Sequence, residues 1–303
     1  DEPAVKPAVG FLLQGRFSDK GWNHTNYMGI QQAVDKLGLQ LDSHESMTAG
    51  SDASRQAIAA TTAAGEPLVF LASADYAGDM EKARKAGSKQ IFAIPALEQT
   101  ADAQCVPYFI RLYQGEYLAG ILSGMRTKTG RIGYVASTPV PETVRCINAF
   151  TLGARKVNPR AEVVVYWIGS WDDANRETAA ANQLIDRENV DILNSHQDRA
   201  YVQDVAAERG IDFMGYQESM GNLSEHNMAT VVCNWSVVYS KILQDYQQGR
   251  LQGIYWEGLP EGAIDLTDFS ASVTDGQRDT IDRVRQELQS GHMVFSGEIF
   301  DLD

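Results

Sequence analysis

Cysteine is scarce in this chain: three in 303 residues, Cys105, Cys146 and Cys233, far apart and odd in number. At least one has no partner within the chain and no Cys-x-x-Cys spacing occurs, so neither a disulfide scaffold nor a zinc site is expected. Positive charge is in deficit, with 26 Lys and Arg against 40 Asp and Glu and a formal net charge of −14. Such a field repels phosphate backbones and no basic stripe offsets it, which argues against nucleic acid as a partner. Long apolar runs are missing too. The best, residues 68–72 and 163–168, fall far short of the ~18 residues that span a bilayer, so no direct membrane span is expected. Neither G-x-x-x-x-G-K-[ST] nor a post-strand G-x-G-x-x-G occurs, and H-E-x-x-H and G-x-S-x-G are absent. The five histidines, His24, His44, His196, His226 and His292, are scattered, none four residues from another. No catalytic residue, metal or cofactor is therefore expected. Binding is favoured over chemistry, and a ligand should be uncharged rather than a polyphosphate.

What is present is an apolar content of 44%, enough for a large core split into two lobes. Short β-rich runs alternate with helical stretches, the pattern of parallel βα units. The first set predicts strands near 8–14, 39–43, 67–73 and 90–94 with helices near 22–37, 51–64 and 75–87, which stop at Gly38, Gly65 and Gly87. A helix over 113–128 opens a second set, with strands near 131–136, 162–168, 190–194, 211–215 and 228–233 and helices near 141–156, 173–187, 199–209 and 236–249. The tail predicts one more helix and a closing strand, Met293-Val294-Phe295. The fold class expected is α/β, two doubly wound parallel-sheet lobes joined by a hinge. Residues 1–110 plus about 236–262 form the N-terminal lobe, 111–235 plus about 263–303 the C-terminal lobe, and the ligand lies in the cleft they share. The Pro-bearing lead Asp1-Glu2-Pro3-Ala4-Val5-Lys6-Pro7 resembles what remains after a secretory signal is removed, so a periplasmic or extracytoplasmic location is expected.

The turn Phe17-Ser18-Asp19-Lys20-Gly21-Trp22-Asn23 follows the apolar strand Val9-Gly10-Phe11-Leu12-Leu13 directly. Open α/β sheets bind ligands at such carboxyl edges. Trp22 offers a face on which a planar ring can stack, and Asn23 offers a donor and an acceptor, a pairing suited to a heteroaromatic base. Equally, Trp22 can be a packed helix-start residue and Asp19 or Asn23 its cap. Carboxylates cluster at other strand ends as Asp75, Asp172, Asp173, Asp198 and Glu218. Asp75 and Asp172 are read as helix N-caps and Asp198 as a ligand contact. Ser73 and Gln197 beside them, and the aromatics Trp171 and Tyr216, complete the candidate ligand-binding set of Asp19, Trp22, Asn23, Ser73, Trp171, Gln197, Asp198, Tyr216 and Glu218. Trp235 is read as a helix-start residue or a hinge wedge.

Ser18-Asp19-Lys20-Gly21-Trp22-Asn23, Gly115-Glu116-Tyr117-Leu118-Ala119-Gly120, Gly133-Tyr134-Val135-Ala136, Pro139-Val140-Pro141-Glu142, residues 148–155, Val157-Asn158-Pro159 and residues 258–266 together resemble the BMP family (basic membrane protein, Med and PnrA-like) of type I periplasmic substrate-binding proteins serving ABC transporters. The resemblance implies a bilobal fold, a purine nucleoside or nucleobase ligand, and handover to an ABC permease without chemistry. A monomer is expected. It assigns the base stacker to Trp22, the base-contacting amide to Asn23 and an acidic contact to Asp198. It also places Glu218 where the family carries Asp, in Gly215-Tyr216-Gln217-Glu218. The ribose-binding Lys of nucleoside-binding members is missing from Thr230-Val231-Val232-Cys233-Asn234, which implies a free purine base. The alternatives are a ligand-sensing module for a receptor and a nucleoside-processing enzyme.

Overall fold

The computed structural model describes residues 8–19, 21–218, 224–251 and 253–291. It divides into two compact units, Asp1–Ile110 with Asn234–Glu257, and Arg111–Cys233 with Gly258–Asp303. The closing strand expected at 293–295 lies outside the described residues.

The first unit holds β1 (Ala8–Leu12), α1 (Trp22–Leu37), β2 (Gln40–His44), α2 (Asp52–Ala63), β3 (Leu68–Leu71), a 3-10 turn (Ala74–Tyr76), α3 (Ala77–Lys85), β4 (Ile91–Ile94) and β5 (Cys105–Ile110), then α8 (Trp235–Gln247) and β11 (Tyr255–Glu257) after the chain returns. Its sheet runs β11-β5-β4-β3-β1-β2, every pairing parallel. The β3 segment Leu-Val-Phe-Leu is buried at every position, as a strand covered on both faces must be. One core joins Leu12, Val69, Leu71, Phe92 and Ile94 to Ile58, Tyr76 and Met80 from α2, the 3-10 turn and α3. Between α1 and α8, Gly29 permits close approach, since a Cβ there would sit 2.7 Å from Trp235 Cβ.

The second unit holds α4 (Leu112–Arg126), β6 (Arg131–Ala136), α5 (Pro141–Val157), β7 (Glu162–Trp167), α6 (Ala174–Glu188), β8 (Ile192–Ser195), α7 (Tyr201–Arg209), β9 (Asp212–Gln217), β10 (Asn227–Cys233), β12 (Ile264–Thr267) and α9 (Asp275–Gln289). Its strand order is β12-β10-β9-β8-β6-β7, parallel except for β12, which runs antiparallel to β10. Helix α4 is buried from Leu112 to Gly124. It crosses α5 at backbone distance, because a Cβ on Gly120 would lie 2.0 Å from Phe150 O and one on Gly153 2.2 Å from Tyr117 O.

Two doubly wound, largely parallel α/β sheets thus match the expected fold class. To the expected sheet strands the fold adds β5, β11 and β12. Pro107 disguises β5, since proline donates no ladder hydrogen bond. It falls where the β4 ladder (Phe92↔Cys105 to Ile94↔Pro107) hands over to the β11 ladder (Tyr255↔Tyr108 to Glu257↔Ile110). The other two are three and four residues long, too short for a periodic signal.

Candidate ligand site

In the first sheet the chain steps from β1 outward to β2 and then back to β3 on the other side of β1. The β1/β3 junction is therefore a topological switch point, where open sheets leave a crevice outside the strand carboxyl ends. Trp22 stands there. Its indole Nε1 donates to Ala72 O at 2.9 Å, just past β3, and Ala72 N in turn donates to Leu12 O at 3.0 Å. The ring stacks on Phe109 at 6.0 Å and 25° and meets Trp235 edge-on at 4.9 Å. Trp22 and Phe109 are half-buried, whereas Trp235 is 1% exposed. With its N–H spent on Ala72 O, the half-buried indole can meet a ligand only through its apolar ring.

Asp19 organises the turn before α1. Its carboxylate accepts from the backbone N–H groups of Gly21 at 2.9 Å, Asn23 at 3.2 Å and His24 at 2.9 Å, and from Asn23 Nδ2 at 2.6 Å. It thus caps the helix that begins with Trp22, satisfying donors left open at any helix start. Asn23 Oδ1 accepts from Gly15 N at 3.1 Å, and a Cβ on Gly15 would collide with that amide at 2.4 Å. Ser73 Oγ accepts from Gln14 Nε2 at 2.9 Å, and the same Gln14 nitrogen reaches Asp75 Oδ2 at 2.8 Å. The cap after β3 is Ser73, whose side chain accepts from Asp75 N, so the capping role expected of Asp75 falls two residues earlier.

The second sheet has its own switch point, between β6 and β8. Val135 pairs with Ser195 there, and Ser137 and Gln197 each follow two residues later, beyond the strand ends at the carboxyl edge. Ser137 Oγ and Gln197 Oε1 are both buried without a hydrogen-bond partner. Gln197 Nε2 donates to Ser170 O at 2.9 Å, and Asp198 N donates to Trp171 O at 3.0 Å, so the turn after β7 is tied to the segment after β8. Trp171 is 40% exposed and tilts over His196 at 6.0 Å and 43°. Tyr216, half-buried near the end of β9, also meets His196 at 6.0 Å. Glu218 follows Gln217, which takes φ 74, a left-handed backbone that costs a non-glycine residue free energy. The cap of α6 is Asp173, which accepts from Arg176 N, while Asp172 instead faces Arg199 at 3.6 Å.

Beneath this edge runs a buried polar chain that sequence reasoning did not find. His196 Nδ1 and the Tyr134 hydroxyl are 2.6 Å apart, Tyr134 OH donates to Glu116 Oε2 at 3.3 Å, Asn194 Nδ2 donates to the same oxygen at 2.8 Å, and His196 Nε2 is 3.4 Å from Thr143 Oγ1. Burial pushes Glu116 up to about 8 despite the two donors, and burial drops His196 to about 4. Both are neutral at pH 7, so the chain carries no net charge. The missed contributors are Gln14, Phe109, Ser137 and Glu116. Only Glu116 had a sequence signal, an acid inside an otherwise apolar helical run.

Among the described residues no group of three His, Cys, Asp or Glu side chains is placed to hold a metal ion, and no helix is long and apolar enough to cross a membrane.

Residues 6–295 match a family model described as ABC transporter substrate-binding protein, PnrA-like. A purine-binding protein of Brucella abortus is 32% identical over 304 aligned positions, covering 98% of this chain and 85% of that protein. A putative ABC transporter glucose-binding protein of Haloferax volcanii is 33% identical over 197, covering 64% of this chain and 50% of that protein. Among solved structures, an ABC transporter solute-binding protein from Conexibacter woesei superposes with a TM-score of 0.75 at 18% identity, covering 97% of this chain and 99% of that one. That likeness speaks to the fold.

Proposed function

The chain belongs to the PnrA-like family of ABC transporter substrate-binding proteins, and we propose that its cargo is a purine base, captured outside the cytoplasm and delivered to an ABC permease without chemical change. The observation that carries this reading is Trp22. Its half-buried indole is held at the β1/β3 switch point by its bond to Ala72 O, which leaves the ring no free donor. A flat heterocycle is what an indole ring stacks on best. In this reading Asp19 and Asn23 act mainly by fixing the turn, since Asp19 accepts four hydrogen bonds within it. In the second unit, Trp171, Tyr216, Asp198 and Glu218 line the edge, where Ser137 Oγ has hydrogen-bonding capacity that ring nitrogens and exocyclic groups can use. Ser73 braces Gln14.

The free base is favoured over the nucleoside because Thr230-Val231-Val232-Cys233-Asn234 supplies no cation for a ribose. The purine named for the Brucella abortus relative supports the ligand class. Mass spectrometry of small molecules released from the purified protein should find adenine, hypoxanthine or guanine. Titration calorimetry with those bases, their nucleosides and glucose then ranks the ligands. Tighter binding of the nucleosides would overturn the free-base preference, and glucose binding without purine binding would overturn the ligand class.

A further inference from the structure

Gln14 stands just past the end of β1 and Ser73 just past the end of β3, and Gln14 Nε2 donates to Ser73 Oγ at 2.9 Å. This bond spans the switch point of the first sheet, where open sheets leave their crevice. The orientation of the amide is determined by its other partners. Gln14 Oε1 accepts from Ala49 N at 3.0 Å, in the loop after β2, and Nε2 also donates to Asp75 Oδ2 at 2.8 Å. Turned over, the amide would set its NH2 against the Ala49 N–H and its oxygen against the Asp75 carboxylate, so only one orientation satisfies all three partners.

Ser73 takes its polarity from this arrangement. A hydroxyl oxygen has two lone pairs and one proton. One lone pair receives Gln14 Nε2 and the other receives Asp75 N at 3.3 Å, so only the proton is left to form a further bond. Among the described residues the Ser73 hydroxyl makes no donating bond, and the residue is half-buried, so the proton is within reach of a ligand. The preceding residue, Ala72, is the one whose carbonyl receives the Trp22 indole at 2.9 Å. The donor is thus one residue from the anchor of the proposed stacking ring.

We propose that Ser73 is a ligand contact that acts only as a donor, giving its hydroxyl proton to an unprotonated ring nitrogen on the edge of a planar heterocycle, with Gln14 as the positioning residue that sets this polarity. The proposal deepens the purine reading and rests on it. A purine carries ring nitrogens that only accept, which match a hydroxyl that can only donate. A ring N–H or C–H at the same place forfeits the bond, so Ser73 selects the orientation of the base as well as its class.

The test is calorimetry with adenine and its 1-deaza, 3-deaza and 7-deaza analogues, each of which replaces one ring nitrogen with C–H, on the parent, S73A, S73T and Q14E. S73A should bind adenine about fivefold more weakly, the usual net worth of one hydrogen bond. In the parent one of the analogues should lose the same factor relative to adenine, and in S73A that analogue and adenine should bind alike. S73T keeps a hydroxyl and should restore the discrimination. In Q14E the carboxylate has no N–H to give Ser73 and takes the hydroxyl proton itself, so discrimination should vanish as in S73A. A merely loosened loop would weaken all four ligands equally and leave discrimination intact. Adenine binding in which no analogue's deficit disappears in S73A would overturn the Ser73 contact and leave the purine reading standing. Discrimination that survives in Q14E would overturn the role of Gln14. A parent protein that does not bind adenine would overturn the purine reading and the Ser73 contact together.

Discussion

Replacing Glu116 with Gln should make the second unit more stable at alkaline pH and leave it nearly unchanged in acid. Glu116 is buried in α4 with its Oε2 receiving Asn194 and Tyr134 and its Oε1 unpartnered. Burial raises it from 4.5 to about 8. The folded chain therefore keeps a proton that the unfolded chain has released across that interval. Its stabilising contribution is complete below about 4.5 and is lost progressively as pH rises to about 8. At roughly 1.4 kcal/mol per unit, the loss amounts to about 3 kcal/mol at pH 7 and about 5 kcal/mol above pH 8. Gln is neutral at every pH, nearly isosteric, and still accepts from Asn194 through its carbonyl. Urea unfolding of parent and E116Q at pH 4.5, 7 and 8.5 gives the difference directly. It should widen with pH in favour of E116Q by several kcal/mol. A difference that does not change with pH would refute the buried neutral acid.

Gly120→Ala drives a methyl to within 2.0 Å of Phe150 O and should cost about 3 kcal/mol or more in denaturant unfolding. Gly78→Ala in α3, where a Cβ meets nothing within 4 Å, should instead gain roughly 0.5 to 1 kcal/mol. Trp22→Ala is expected to weaken adenine binding by about 1 to 3 kcal/mol by calorimetry, with Trp22→Phe recovering part of the loss. Asp19→Ala removes the turn's acceptor and should lower the unfolding free energy by roughly 1 to 2 kcal/mol, with adenine affinity falling as the Trp22 turn loosens.

Much of the scaffold was legible because apolar alternation and glycine stops report local structure. Residues 131–136 and 22–37 form a strand and a helix with the bounds the pattern predicts, and Gly38 takes φ 67 at the end of α1. Helix α4 ends at Arg126, two residues short of the expected 128, because Thr127 leaves helical backbone at ψ 133. β5 stayed hidden because Pro107 contradicts a strand locally, and only the change of ladder partner reconciles it. Capping was misplaced by one or two residues at Asp75 and Asp172, since the loop path decides which side chain reaches the open N–H groups. The site was partly readable. Trp22 stood out as an aromatic in a polar turn after an apolar strand, whereas Phe109 sits beside it only because β5 crosses the sheet in that register. The chain of Glu116, Tyr134, Asn194 and His196 joins residues up to 80 apart in sequence, which no local pattern displays.

The most direct measurement is an intermolecular nuclear Overhauser experiment on the protein with bound adenine, observing the Trp22 indole protons. Cross-peaks from adenine H2 or H8 to the Trp22 six-membered ring, lost on substitution of Trp22, are the expected result. A saturated adenine complex with no contact to that ring would contradict the stacking role on which the purine reading stands.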